Sequence, residues 1–344
     1  MPTNYSYNSN NSRGGKRAPK GLLGNPTPAK AAGLTFSLAV VLPLVIAIVF
    51  AVAIALSGAK NGEYQKTDWY LYANFLLSQT SFALAALACF FYTKTPVKRA
   101  VCSLKCRPKY ILLGITMQIG LLCLSELNTL FLRLLGNIGY VSAEIVLPSM
   151  DEFGLVGVLF VVGVLPAVFE EILFRGILLG GLRSFRPVYA VLLCGGLFAL
   201  FHQNPAQTLY QFCCGTAFAL VALKAGSVLP TMFAHFLNNA LILILQKFGI
   251  NAFPVHVFLA IMITSVLCLT GTLVYLLAFD KKGKSDERAQ FARKSEDKSE
   301  DMAENKVKGA EEENKRERKR FFLTALVGIA VCALTWLGVL VSGM

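Results

Sequence analysis

The sequence predicts an all-α, polytopic transmembrane helix bundle of eight or nine spans, and three observations carry that expectation. Hydrophobic residues make up 55% of the 344 positions and charged residues 15%, where soluble domains carry about 25% charge. Mean hydropathy is +0.57. Nine apolar runs approach the ~20 residues that a bilayer-spanning helix needs: 34–57, 69–92, 109–135, 151–172, 188–203, 207–223, 228–247, 254–279 and 321–341.

Taken in order, residues 1–33 form a basic arm rich in Asn, Ser, Gly, Pro and Lys, a composition that favours disorder. The first apolar run is too long and too far from the start to read as a cleaved signal peptide. Residues 34–135 read as anchoring transmembrane helices. The loop 93–109 carries Lys94, Lys98, Arg99, Lys105, Arg107 and Lys109 with no acid. Like the arm, it should face the cytoplasm, because short cytoplasmic loops are enriched in Lys and Arg. Residues 136–279 hold the polar oddities and form the expected catalytic core. Of the 53 Asp, Glu, Lys and Arg residues, 26 fall in 280–320, 14 of them basic and 12 acidic. That stretch reads as a cytoplasmic charged segment, exposed helix or disorder, and 321–344 as a final span.

The net charge of +13 does not point to nucleic acid. Its basic residues flank spans, where they meet anionic lipid. The nine cysteines are scattered without a C-x-x-C pair and read as small apolar packing groups. Cys102 and Cys106 share a loop, where metal or lipid attachment is the minor reading.

Against this background "VFEEILFRG" (168–176) is anomalous. A charge at the centre of a membrane helix costs roughly 2.5–3.5 kcal/mol on insertion scales, so Glu170, Glu171 and Arg175 need partners or water. Glu171 and Arg175 are four apart with the acid first, the favoured ion-pair order on one helix face. Glu170 is rotated by about 100° and faces something else. Further along, "LFALFHQNP" (197–205) brings His202 to the end of an apolar helix. "PTMFAHFLNNALILIL" (230–245) places His235 and Asn239 on one face, with Asn238 beside them. His256 reads as interfacial. Pro166 and Pro230 are expected to kink their helices and free carbonyls. Glycines 176, 180, 181, 195 and 196 are expected to let helices approach closely. On vertical helices His202 would sit ~22 Å from Pro187 and His235 only ~10 Å from Ser227, so tilt, a break or a shorter span must bring them level.

The residue types limit the chemistry. There is no H-E-x-x-H helix and no G-x-S-x-G elbow. A carboxylate with two imidazoles and an amide suits activation of water: Glu170 as general base, His202 holding the water, His235 and Asn239 donating to an oxyanion. Glu170, His202 and His235 are equally types that bind zinc, so zinc is the alternative where no cofactor is otherwise expected.

The motifs E-E-x-x-x-R (170–175), F-x-x-x-H (198–202) and H-x-x-x-N (235–239), in that order, resemble the CAAX protease and bacteriocin-processing (CPBP, or Abi) family of intramembrane endopeptidases. The resemblance covers roughly 151–247. It implies a glutamate-activated hydrolysis of a peptide bond, with Glu170, His202, His235 and Asn239 catalytic and Glu171 and Arg175 in support; Asn238 joins that support on position alone. It also implies a peptide or protein substrate at the membrane, prenylated in eukaryotic relatives, and a multi-pass location, expected to be a bacterial plasma membrane with a cytoplasmic N-terminus. The competing expectations are a non-catalytic immunity or scaffold protein of the same family and a transporter. Against transport, no repeated half with matching broken helices is visible.

Overall fold

A computed structural model describes residues 28–56, 63–93, 106–142, 145–151, 154–250, 252–280 and 300–344. Ten helices account for nearly all of them, with no strand among the described residues. They are α1 (Pro28–Leu56), α2 (Asp68–Thr93), α3 (Pro108–Leu121), α4 (Leu124–Asn137), α5 (Gly154–Ser184), α6 (Pro187–Phe201), α7 (Thr208–Ala225), α8 (Leu229–Lys247), α9 (Val255–Phe279) and α10 (Glu300–Ser342). Seven are long and apolar enough to cross a membrane, and the bent pair α3–α4 makes an eighth. The polytopic bundle is therefore the fold. The ninth predicted run, 188–203, is α6, a 15-residue apolar helix shorter than a full span.

Helix α5 lies at the centre. It touches α1 and α2 on one side and α8 on the other, while α8 packs on α3, α3 on α9, α6 on α7, and α10 on α1. Hydrogen bonding along α5 is not uniform. Its turns at Leu159–Val164 and Ile172–Leu178 are π-helical, and they bracket the α-helical Leu165–Glu171. Such wide turns re-aim side chains within a continuous helix and recur at functional sites.

The run expected as one span over 109–135 is broken. Helices α3 and α4 meet at a 41° bend. At that break Cys123 Sγ donates to the Gly120 carbonyl at 3.1 Å and Ser125 Oγ to the Leu122 carbonyl at 2.7 Å. Side chains that take backbone carbonyls in this way compete with the helical ladder.

The boundary expected at 320/321 is no boundary in the backbone. Helix α10 runs unbroken for 43 residues, from charged Glu300 through the apolar span to Ser342. At 1.5 Å per residue it is ~64 Å long, about twice the ~30 Å hydrocarbon core. The charged stretch and the apolar span thus belong to one continuous helix. Residues 1–27 of the predicted arm and 281–299 of the charged segment lie outside the described residues, as does Cys102, and α1 begins at Pro28. Burial pushes the Cys106 thiol up, away from the thiolate that metal binding requires.

Close approach falls on fewer glycines than the sequence suggested. A methyl group at Gly195 would lie 2.1 Å from Thr216 Oγ1 and 2.7 Å from its backbone nitrogen, so α6 and α7 touch there. Methyl groups at Gly180 and Gly196 would meet nothing within 4 Å. Gly195→Ala is therefore expected to destabilise by about 1–3 kcal/mol through overpacking. The neighbouring Gly196→Ala should be neutral or stabilising by up to about 1 kcal/mol, as in any open helix position. Thermal unfolding of the two variants in detergent checks the contrast.

Candidate active site

The site is built from α5, the α6 C-terminus and α8. Glu171 and Arg175 are both fully buried, and Arg175 Nη1 donates to Glu171 Oε1 at 2.7 Å. The ion pair read from the i,i+4 spacing is thus present. Arg175 Nη2 also donates to the Gly215 carbonyl at 3.3 Å. Its guanidinium lies 4.3 Å from the Phe198 ring centroid and 5.5 Å from that of Phe218, within cation–π range. One cation thus joins α5, α6 and α7.

His235 comes to the same carboxylate. Its Nδ1 is 2.9 Å from Glu171 Oε1. A carboxylate only accepts, so Nδ1 carries the proton and Nε2 is the nitrogen left to act in the cavity. The sequence placed His235 at an oxyanion but not on Glu171. No spacing rule relates residues 64 positions apart.

His202 is oriented in a different way. It caps the C-terminus of α6, and its Nδ1 lies 2.8 Å from the Phe198 carbonyl. The carbonyl accepts, so Nδ1 again holds the proton and Nε2 is free. The next residue, Gln203, has φ +52°, a left-handed conformation uncommon outside glycine. This turn stops α6 before the chain re-enters at Pro205. The depth mismatch expected for straight spans does not keep the two imidazoles apart, since both border one cavity. The Phe198 ring centroid is 4.7 Å from His202 and 6.2 Å from His235.

Glu170 makes none of these contacts. Its Oε2 is buried without a hydrogen-bond partner, and the residue borders a cavity of about 500 Å³. That cavity is also bordered by His202, Tyr210, His235, Asn238 and Asn239. The four candidate catalytic residues and Asn238 therefore share one cavity, with Glu171 and Arg175 in the wall behind it.

Pro166 contributes as expected, and Pro230 does not. Having no N–H, Pro166 cannot donate to the Val162 carbonyl four residues earlier. That carbonyl instead accepts from Asn239 Nδ2 at 2.9 Å. Pro230 stands in the first turn of α8, where a missing N–H costs nothing, so no kink results.

Asn238 is the hub of a network that the sequence reading missed. Its Oδ1 accepts from Gln118 Nε2 at 2.8 Å and from Tyr210 Oη at 3.2 Å, and its Nδ2 donates to Asn239 Oδ1 at 3.2 Å. Gln118, a polar residue inside the apolar run 109–135, was the available signal. His256, read as interfacial, is exposed. Among the described residues no group of three or more His, Cys, Asp or Glu side chains comes together as a metal site.

Residues 152–241 match the family model described as type II CAAX prenyl endopeptidase Rce1-like. That family is a peptidase family, and the match falls on the segment with the three motifs, in agreement with the CPBP resemblance. No curated protein and no solved structure matches the chain.

Removing one partner of a buried ion pair strands the other charge, at a cost of about 3–5 kcal/mol. Arg175→Gln should lower the stability of the detergent-solubilised protein by that amount. Arg175→Lys should recover only part of it, because a lysine lacks the planar fork that engages Glu171 and Gly215 together. Thermal unfolding of both variants checks this.

Proposed function

We propose that this protein is a multi-pass membrane endopeptidase that hydrolyses a peptide bond of a membrane-associated substrate with a water activated by Glu170. The observation that carries the proposal is the contrast between the adjacent glutamates. Glu171 Oε1 is bound by Arg175 and His235 behind the cavity wall, whereas Glu170 borders the cavity and makes no ion pair among the described residues.

The roles follow from the hydrogen bonds. Glu170 takes one proton of the water as its oxygen attacks the scissile carbonyl carbon. His202 Nε2 accepts the other water O–H, because Nδ1–H is held by Phe198. The carbonyl oxygen becomes an oxyanion. Asn239 spends one Nδ2–H on Val162 and has a second to donate. His235, its Nδ1–H held by Glu171, donates to the oxyanion from Nε2 in its doubly protonated form. Glu170 then delivers its proton to the leaving amine, which closes the cycle. Asn238, held by Gln118 and Tyr210, positions Asn239.

The Lys/Arg bias of the loops supports a cytoplasmic N-terminus. The substrate class carried by the matched family's description is a prenylated C-terminal motif. Zinc held by Glu170, His202 and His235 is the competing mechanism, and no step above is routed through it.

The test is a cleavage assay in liposomes on fluorogenic prenylated and unprenylated peptides, with wild type and Glu170→Gln compared with and without chelator. A general base contributes about 10²–10⁴-fold, so Glu170→Gln should lose that much kcat, and chelation should change nothing. Loss of wild-type cleavage on chelation would return zinc to the site. Full activity in Glu170→Gln would remove Glu170 from the mechanism. Asn239→Ala should cost about 10²–10³ in kcat, the effect of losing one oxyanion donor.

A further inference from the structure

A second cavity lies on the outer face of the bundle, away from the catalytic residues. This groove of about 490 Å³ is bordered by Phe185, Tyr189, Leu193, Gly196, Leu200 and Phe322, and its wall is almost wholly apolar. Along α6 the positions from Tyr189 to Leu200 fall at helical intervals on one face and span ~16 Å. That is about half of a ~30 Å hydrocarbon core, the depth of one leaflet. Gly196 leaves the groove floor open, with nothing within 4 Å of where a methyl group would sit.

One end of the groove is basic. Phe185 and Phe322 meet there with ring centroids 5.8 Å apart, and the Arg318 guanidinium lies 5.8 Å from the Phe185 ring. Arg318 is four residues before Phe322 and Lys315 seven before it, so all three lie on one face of α10. Arg183 and Arg186 flank Phe185 and are exposed, as are Lys315 and Lys319. Within 315–320 the one acid, Glu317, is buried and bound by Arg320 Nη1 at 2.8 Å; the exposed Glu311, Glu312 and Glu313 lie a turn or more further along α10 from Phe322. Arg186 also begins α6 without a side-chain cap, which leaves the positive end of the helix dipole at the same place.

From an apolar channel one leaflet deep with cations at one end, we infer that this groove binds an anionic phospholipid, its headgroup among Arg183, Arg186 and Arg318 and one acyl chain along α6 from Tyr189 to Leu200. Basic clusters at the membrane boundary of a span attract anionic lipid. The groove adds a fixed place for the chain, which a charge cluster alone does not supply. The inference does not depend on the peptidase reading.

Native mass spectrometry of the full-length protein in detergent tests it. Phosphatidylglycerol and phosphatidylcholine with the same acyl chains are added, and retained lipid is counted. Wild type should retain phosphatidylglycerol preferentially. Each Arg→Gln change at 183, 186 or 318 should reduce that preference by about fivefold. Gly196→Leu, which fills the floor, should lower retention of both lipids. Equal retention of the two lipids by wild type would overturn the inference. So would a preference that survives the arginine changes. Arginine-dependent preference with retention unchanged in Gly196→Leu would show headgroup adsorption without a chain site and overturn it as well.

Discussion

The constraint on which the structure depends is a single oxygen, Glu171 Oε1, which accepts from Arg175 at 2.7 Å and from His235 at 2.9 Å with no exposed surface around it. A carboxylate and a guanidinium in an apolar bundle are tolerated only as such a paired unit. Once paired, the unit decides much else. It fixes α5 against α8 through His235, and α5 against α7 through the Arg175 contact to Gly215. Gly195 permits the α6–α7 contact that places the Phe198 ring over Arg175.

The same unit separates the two glutamates. Because Glu171 holds Arg175 and orients His235, Glu170 borders the cavity with one carboxylate oxygen buried and without a hydrogen-bond partner. The backbone supports this division. The α-helical Leu165–Glu171 ends where the π-helical Ile172–Leu178 begins, so the adjacent carboxylates stand at a change of helical pitch. Pro166 releases the Val162 carbonyl, and Asn239 occupies it. A helix-breaking residue thereby becomes the means by which α5 and α8 are placed in register at the cavity.

Much of this was legible in the sequence because it is local. The bundle follows from runs of ~20 apolar residues, and the Glu171–Arg175 pair from a spacing of four. The anomaly of buried charge singled out the region that matches the Rce1-like model. What was not legible is long-range or irregular. The bond from His235 to Glu171 and the convergence of Gln118 and Tyr210 on Asn238 join different helices. The bend between α3 and α4 coincides with side chains that take backbone carbonyls, and the left-handed Gln203 has no glycine to announce it. Pro230 was misread because a proline in a first turn and one in a helix interior look alike until the helix start is known.

The central claim is that adjacent glutamates divide the work, Glu170 for chemistry and Glu171 for structure. The most direct measurement takes Glu170→Gln and Glu171→Gln in one preparation and records peptide cleavage and thermal midpoint for each. The account predicts that Glu170→Gln abolishes cleavage at an unchanged midpoint, while Glu171→Gln lowers the midpoint markedly, since it leaves Arg175 buried without a counter-charge. A stable but inactive Glu171→Gln beside a stable and active Glu170→Gln would contradict it.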